Sequence, residues 1–235
     1  MSLAYQQELQ RFYAKLVVDT ANGLQKKICE ANGIPLEPKN AAEMRAIPVF
    51  EQGAPASLLQ SANDMRRPTE IIWAVNPSHQ FLPAYFKTYR DLGNGRLRSQ
   101  IVVSTENYCV ARFVAAKELM HCFLDEDGVA ATNTMPLVHA LIDDLLVEKA
   151  FASESPQTIV DQIAWLGAGL YLIPDSWIPC LEKARDAIAA RYQGINANLT
   201  LAQLIRVPEI ILKARLRHFG TWSRGTTDAG TPASS

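Results

Sequence analysis

Lys117-Glu118-Leu119-Met120-His121 puts three chemically capable side chains within five residues. An α-helix turns once in about 3.6 residues, so positions i and i+4 lie on one face, one turn apart. In the pattern H-E-x-x-H two imidazoles placed this way converge on one Zn²⁺. The glutamate between them takes a proton from the metal-bound water. Here Lys117 and His121 stand at the two ligand places and Glu118 at the place of the base. On its own the pentapeptide also reads as a surface Lys-Glu pair beside a helical histidine. A lysine ligates a metal only as the neutral amine, and deprotonation at pH 7 costs roughly 4–5 kcal/mol from a pKa near 10.4. A nearby dication lowers that cost. The alternative is a protonated Lys117 that stands where the cation would stand and donates to neighbouring carboxylates.

These residues need a helix that is held against others. The segment from about 107 to 124 is predicted as that helix, introduced by Thr105 and ended by Asp125-Glu126-Asp127-Gly128. Val110, Phe113, Val114, Lys117, His121 and Leu124 share its broad face. Upstream, Leu9, Phe12, Leu16, Thr20, Leu24 and Ile28 recur at helical spacing and predict a helix over 4–30, stopped by Asn32-Gly33. Glu70-IIWAV-Asn76 and Ser99-QIVV-Ser104 read as strands. With a turn at Asp91–Gly95 and an irregular span between the strands, they predict a small antiparallel sheet. Residues 31–70, rich in Pro, Ala, Asn and Gly, yield only a possible short helix near 40–46. Downstream, helices are expected over 134–152, over 157–173 between Pro156 and Pro174, near 176–192 and over 200–218. The small, polar residues 221–235 read as a disordered tail. The pattern is α+β and helix-dominated, with residues 1–220 as one domain.

Composition bounds the function. The chain has 235 residues, 48% of them hydrophobic, which is enough for a real core. Its net charge of −1 gives no general case for a nucleic-acid or membrane binder. Four cysteines, Cys29, Cys109, Cys122 and Cys180, are not in C-x-x-C spacing. The start MSLAYQQELQ has no secretory pattern, and no apolar run approaches the roughly 20 residues of a membrane span. A soluble cytoplasmic protein with reduced thiols is expected. Cys122, beside His121, reads as a small buried hydrophobe rather than a nucleophile. Trp73, Trp165 and Trp177 lie in apolar patterns and read as core.

The segment IVVSTENYCVARFVAAKELMHCFLD resembles the core of the ImmA/IrrE family of metallopeptidases, in which a strand and polar turn lead into an Arg-Phe-x-x-Ala-His-Glu-Leu-x-His helix. Arg112, Phe113, Ala116, Glu118, Leu119 and His121 match it. The family's second block, a Glu-x-x-Ala-Asn-x-Phe-Ala-Ala-x-Leu-Leu-x-Pro helix, is similar to DQIAWLGAGLYLIP, residues 161–174. Ala164, Ala168 and Pro174 fall in register there, and Asp161 falls on the glutamate that is the third zinc ligand. The small residues Gly167 and Ala168 suit close packing of the two helices. The resemblance spans residues 99–178 and leaves the N-terminal helix and the C-terminal part unexplained. It implies a zincin-like fold with its core over about 70–178; the C-terminal helices expected over 176–218 lie beyond what it covers.

Two departures shape the expected chemistry: Lys117 replaces the first ligand histidine and Asp161 the third ligand. Zinc affinity is expected to be much reduced. The leading expectation is a metal-free ion-pair network with no cofactor. A site completed by a recruited ligand, with His139, Glu154 or His79 as candidates, is a second possibility. Metal-free acid/base work by Glu118 with His121 is a third. The resemblance implies a regulatory role in a bacterial or phage system, with a helix-turn-helix repressor as the kind of protein partner. The rival is an active zinc endopeptidase with Glu118 as base. A further reading takes TLAQLIRVPEIILKARLR, residues 200–217, as a DNA-binding helix-turn-helix carrying Arg206, Lys213, Arg215 and Arg217. A helical hairpin packed on the domain fits that segment better. Arg66, Arg67, Arg90, Arg96 and Arg98 read as solvated surface.

Overall fold

The computed structural model describes residues 3–32, 35–40, 43, 53–65, 67–73, 84–124 and 156–217. The predicted helix over 134–152, the C-terminal tail, and His79, His139 and Glu154 lie outside them. The chain runs α1 (Leu3–Asn32), α2 (Gly53–Met65), β1 (Thr69–Trp73), β2 (Ala84–Arg90), β3 (Leu97–Val103), α3 (Tyr108–Leu124) and α4 (Pro156–Leu172). A 3₁₀ turn (Asp175–Trp177), α5 (Ile178–Arg191), α6 (Ala197–Leu204) and α7 (Glu209–Arg217) follow. The architecture is α+β and helix-dominated, around one small sheet.

The sheet is mixed, which corrects the antiparallel expectation. β3 lies at its centre, between β1 and β2. β1 pairs with it in parallel, Thr69 opposite Ser99 and Ile71 opposite Ile101. β2 pairs with it antiparallel, Phe86 opposite Ile101 and Arg90 opposite Leu97. The span taken as irregular therefore contains a strand. Two reversals of direction separate β1 from β3, so those two run the same way. The second reversal is the predicted turn: Asp91 Oδ1 accepts from the Gly93 N–H at 2.8 Å, and Asn94 Oδ1 from the Arg96 N–H at 2.9 Å. Gly95 takes φ 67°, which glycine adopts without steric cost. Ser99, Ile101 and Val103 of β3 bury toward the helices, the period-2 pattern of a half-buried strand.

α3 is the central helix. All residues from Ala111 to Leu124 are buried. Asn107 rather than Thr105 caps it: Asn107 Oδ1 accepts from the Val110 N–H at 3.2 Å, while Thr105 Oγ1 accepts from the Asn107 N–H at 3.3 Å. The sheet and α2 pack against α3, and α1 and α4 also lie along it. Gly167 of α4 marks the tightest approach. A Cβ there would collide with Val17 Cγ1 of α1 and come within 3.1 Å of Met120 Sδ of α3.

α1 forms where predicted, but its buried face is rotated from the predicted stripe. Val17, Val18, Ala21, Leu24, Gln25 and Cys29 are buried, while Phe12 is 56% exposed. The helix chooses the face that meets α4, and Gln25 Nε2 donates there to the Tyr171 carbonyl. Trp165 and Trp177 are core residues as expected, but Trp73 is 58% exposed at the end of edge strand β1. Cys29, Cys122 and Cys180 are buried free thiols. Cys122 Sγ sits 3.7 Å from Thr69 Oγ1.

The helical segment expected over 200–218 is two helices, α6 and α7, as the helical-hairpin reading of residues 200–217 requires. α6 ends in a Schellman turn: the Arg206 N–H donates to the Gln203 carbonyl at 3.2 Å, and the Val207 N–H to the Ala202 carbonyl at 3.0 Å. That motif needs a left-handed residue, here Arg206 with φ 56°. Pro208 then cannot continue the helix, and α7 starts afresh. Asn196 caps α6 by accepting from the Leu199 N–H at 3.1 Å.

Candidate functional site

α3 and α4 meet at four ionisable side chains. Helical spacing puts Lys117, Glu118 and His121 on the part of α3 that faces α4. Asp161, in the second turn of α4, reaches across. Lys117 Nζ lies 2.5 Å from Asp161 Oδ1 and 3.2 Å from Glu118 Oε1. His121 Nε2 lies 3.1 Å from the same Asp161 Oδ1 and 3.9 Å from Glu118 Oε2. The four side chains are between 0% and 7% exposed. All four site residues named from the sequence thus come together, although Lys117 and Asp161 are 44 positions apart along the chain, by 161 minus 117.

The sheet supplies a support that sequence reasoning missed. Phe86 of β2 stacks on the His121 ring, centroids 5.7 Å apart and planes 23° apart. The signal was available in the alternation of Ala84, Phe86 and Thr88 with Tyr85, Lys87 and Tyr89.

Electrostatics follow from the geometry. Burial alone would pull the Lys117 amine down, but the Glu118 and Asp161 carboxylates beside it outweigh burial and hold it above its ordinary value. Burial would likewise raise the Asp161 carboxyl. Its hydrogen bond to His121 and the Lys117 charge reverse that and hold it at about 2. Lys117 is therefore an ammonium and Asp161 a carboxylate at neutral pH. Glu118 Oε2, Asp161 Oδ2 and His121 Nδ1 are buried without a hydrogen-bond partner among the described residues.

This donor set does not fit zinc. The space between Asp161 and Glu118 holds an ammonium, which repels a dication and offers it no lone pair. Moving the amine aside would break two contacts with carboxylates in a buried setting. Among the described residues, no group of three His, Cys, Asp or Glu side chains is arranged to hold an ion.

Among the described residues, Arg112 and Arg215 are the other buried cations, and both fasten the C-terminal helices. Arg112, on α3, donates to the carbonyls of Ile205 and Arg206 at 3.0 and 3.1 Å. Burial pulls its guanidinium down to about 10. Arg215, on α7, donates to the Ile173 carbonyl at 3.1 Å and pairs with Asp175. It is 0% exposed and so unavailable to a phosphate backbone. Arg206 lies over the Tyr108 ring, and Lys213 pairs with Glu209 at 2.6 Å. Of the other basic residues, Arg90 and Arg96 are exposed, and Arg98 pairs with Asp91 at 2.8 Å.

Comparison with family models, with curated proteins and with solved structures gives no match. No described helix is long and apolar enough to cross a membrane.

Proposed function

We propose that this protein is a non-proteolytic, regulatory binding protein, built like an ImmA/IrrE-type metallopeptidase in which an internal ammonium replaces the metal. The observation that carries the reading is the Lys117 amine, 2.5 Å from Asp161 and 3.2 Å from Glu118 inside a buried cluster. A zinc peptidase needs a Lewis-acidic ion and an open coordination position for water. An ammonium supplies neither. It can neutralise carboxylates that would otherwise be costly to bury, so the helix packing of such a fold survives without the ion. The function left to the scaffold is recognition of another protein, and the resemblance suggests a repressor of the helix-turn-helix type in a bacterial or phage system.

A direct test incubates the protein with purified helix-turn-helix repressors, with and without added zinc. A stable complex by size-exclusion chromatography, with the repressor intact, is the expected result. Zinc-dependent cleavage of the repressor, abolished by Glu118→Gln, would establish the endopeptidase reading instead. Duplex DNA binding is disfavoured by the burial of Arg215. Salt-dependent DNA affinity lost in Arg206→Ala/Lys213→Ala would restore it.

A further inference from the structure

We propose that Asn94, at the tip of the β2–β3 hairpin, is a site of self-modification: its side-chain amide is lost as ammonia, and an aspartate or isoaspartate is left at position 94. Asn94 and Gly95 follow each other in an exposed turn. Gly95 has no Cβ, so its backbone nitrogen can approach the Asn94 side chain without steric hindrance. Attack of that nitrogen on Asn94 Cγ forms a new C–N bond and closes a cyclic imide. The Cγ–Nδ2 bond breaks, and Nδ2 leaves as ammonia with the proton of the Gly95 amide. Water then opens the imide. Addition at Cγ gives aspartate, and addition at the main-chain carbonyl gives isoaspartate.

The turn already prepares the electrophile. The Arg96 N–H donates to Asn94 Oδ1 at 2.9 Å, which polarises the carbonyl under attack and stabilises the oxyanion that it becomes. The restraint lies on the nucleophile: the Gly95 N–H donates to the Asp91 carbonyl at 2.8 Å, and this one turn bond must open first. The Asp91 side chain holds the turn closed, accepting from the Gly93 N–H at 2.8 Å and pairing with Arg98 Nε at 2.8 Å. Asn22–Gly23 is the internal comparison. Both of its residues are also exposed, but they lie inside α1, where the i→i−4 ladder fixes the backbone on either side. Ala21 and Leu24, which flank them, are buried. Local opening costs little at a hairpin tip and much inside a packed helix. The dipeptide and its exposure are therefore matched, and the backbone sets Asn94 apart. The product adds a negative charge beside Asp91. Its isoaspartate form also lengthens the turn that joins β2, with Phe86, to β3.

The test ages the full-length chain in mildly alkaline buffer and maps its peptides by mass spectrometry, with isoaspartate read separately by enzymatic methylation. Conversion at position 94 should outpace conversion at position 22 by roughly tenfold or more. Asp91→Ala, which loosens the turn, should speed conversion at position 94. Full denaturation in guanidinium chloride should bring the two positions to similar rates. Equal rates at the two positions in the folded chain, or faster conversion at position 22, would overturn the inference. So would an Asn94 that stays intact in the folded chain and converts only on denaturation. Both positions are read in one wild-type sample, so the test stands even if Asp91→Ala does not fold.

Discussion

Two buried cations, Lys117 and Arg215, sit in different surroundings. Arg215 binds a backbone carbonyl, Ile173, and a carboxylate, Asp175, whose side chain is 30% exposed. It ties α7 to the turn after α4, and water can still reach its acidic partner. Lys117 pairs with two side-chain carboxylates, Asp161 and Glu118, that are only 7% and 2% exposed. A guanidinium joining an end of one helix to another element is what a fold needs. A surplus of buried acidic groups around one ammonium is more than packing requires. On the proposed reading, the Arg215 region serves stability alone, whereas the Lys117 region is the site in which an internal ammonium replaces the metal.

The comparison can be broken by removing each cation. Lys117→Met strands Asp161 and Glu118 in a buried setting and should cost about 3–5 kcal/mol in urea unfolding. Lys117→Met combined with Asp161→Leu should lose clearly less than the sum of the two single changes, because the double variant leaves no widowed partner. Equal and additive losses would show that the pair is not coupled. Arg215→Met should cost less, about 2–3 kcal/mol, because Asp175 can take up water. If Arg215→Met proved the more damaging of the two, the distinction between the regions would fail.

Acid sharpens the same comparison. Asp161 is held at about 2, below its unfolded value. Its contribution is therefore fully present above the unfolded carboxylate pKa of about 4 and is lost as pH falls through about 2. Unfolding followed from pH 5 downward should show wild type losing stability over that window, with a shallower loss in Asp161→Asn. Lys117, raised by its carboxylate neighbours, acts at the other end. Its contribution is complete below the unfolded lysine value of about 10.4 and fades as pH rises through the higher folded value.

The smallest effect belongs to the turn that Arg112 caps. Arg206 is a non-glycine residue at φ 56°. Arg206→Gly should relieve roughly 1 kcal/mol of left-handed strain. The lost contact with the Tyr108 ring gives back roughly 0.5 kcal/mol. A small rise in melting temperature is expected, with no change in the Lys117 cluster.

Local features of this fold were legible where a single residue type dictates them. Pro156 and Pro174 bounded α4, and Asp91–Gly95 marked the hairpin turn. Lys117, Glu118, His121 and Asp161 were found because helical spacing and a known pattern converge on them. The relation between elements was not legible. β2 was passed over because Lys87, Thr88 and Arg90 make its alternation weakly apolar, and without β2 the direction of β1 against β3 came out wrong. The face of α1 was misjudged because Phe12 and Leu16 continue an apolar stripe that the neighbouring helices do not fully cover. Gly167 was legible in part: its small size suits the close packing of α4 on α3, and the structure adds α1, whose Val17 meets it as well. Phe86 against His121 is a contact between sheet and helix: the alternation in β2 marks Phe86 as inward-facing but does not say what it meets.

Metal content tests the central claim most directly. Protein purified without chelator and exchanged through zinc-containing buffer should carry zinc well below one ion per chain, at a level unchanged by His121→Ala. Stoichiometric zinc that disappears in His121→Ala would contradict the account, because an ammonium and a zinc ion cannot share that space.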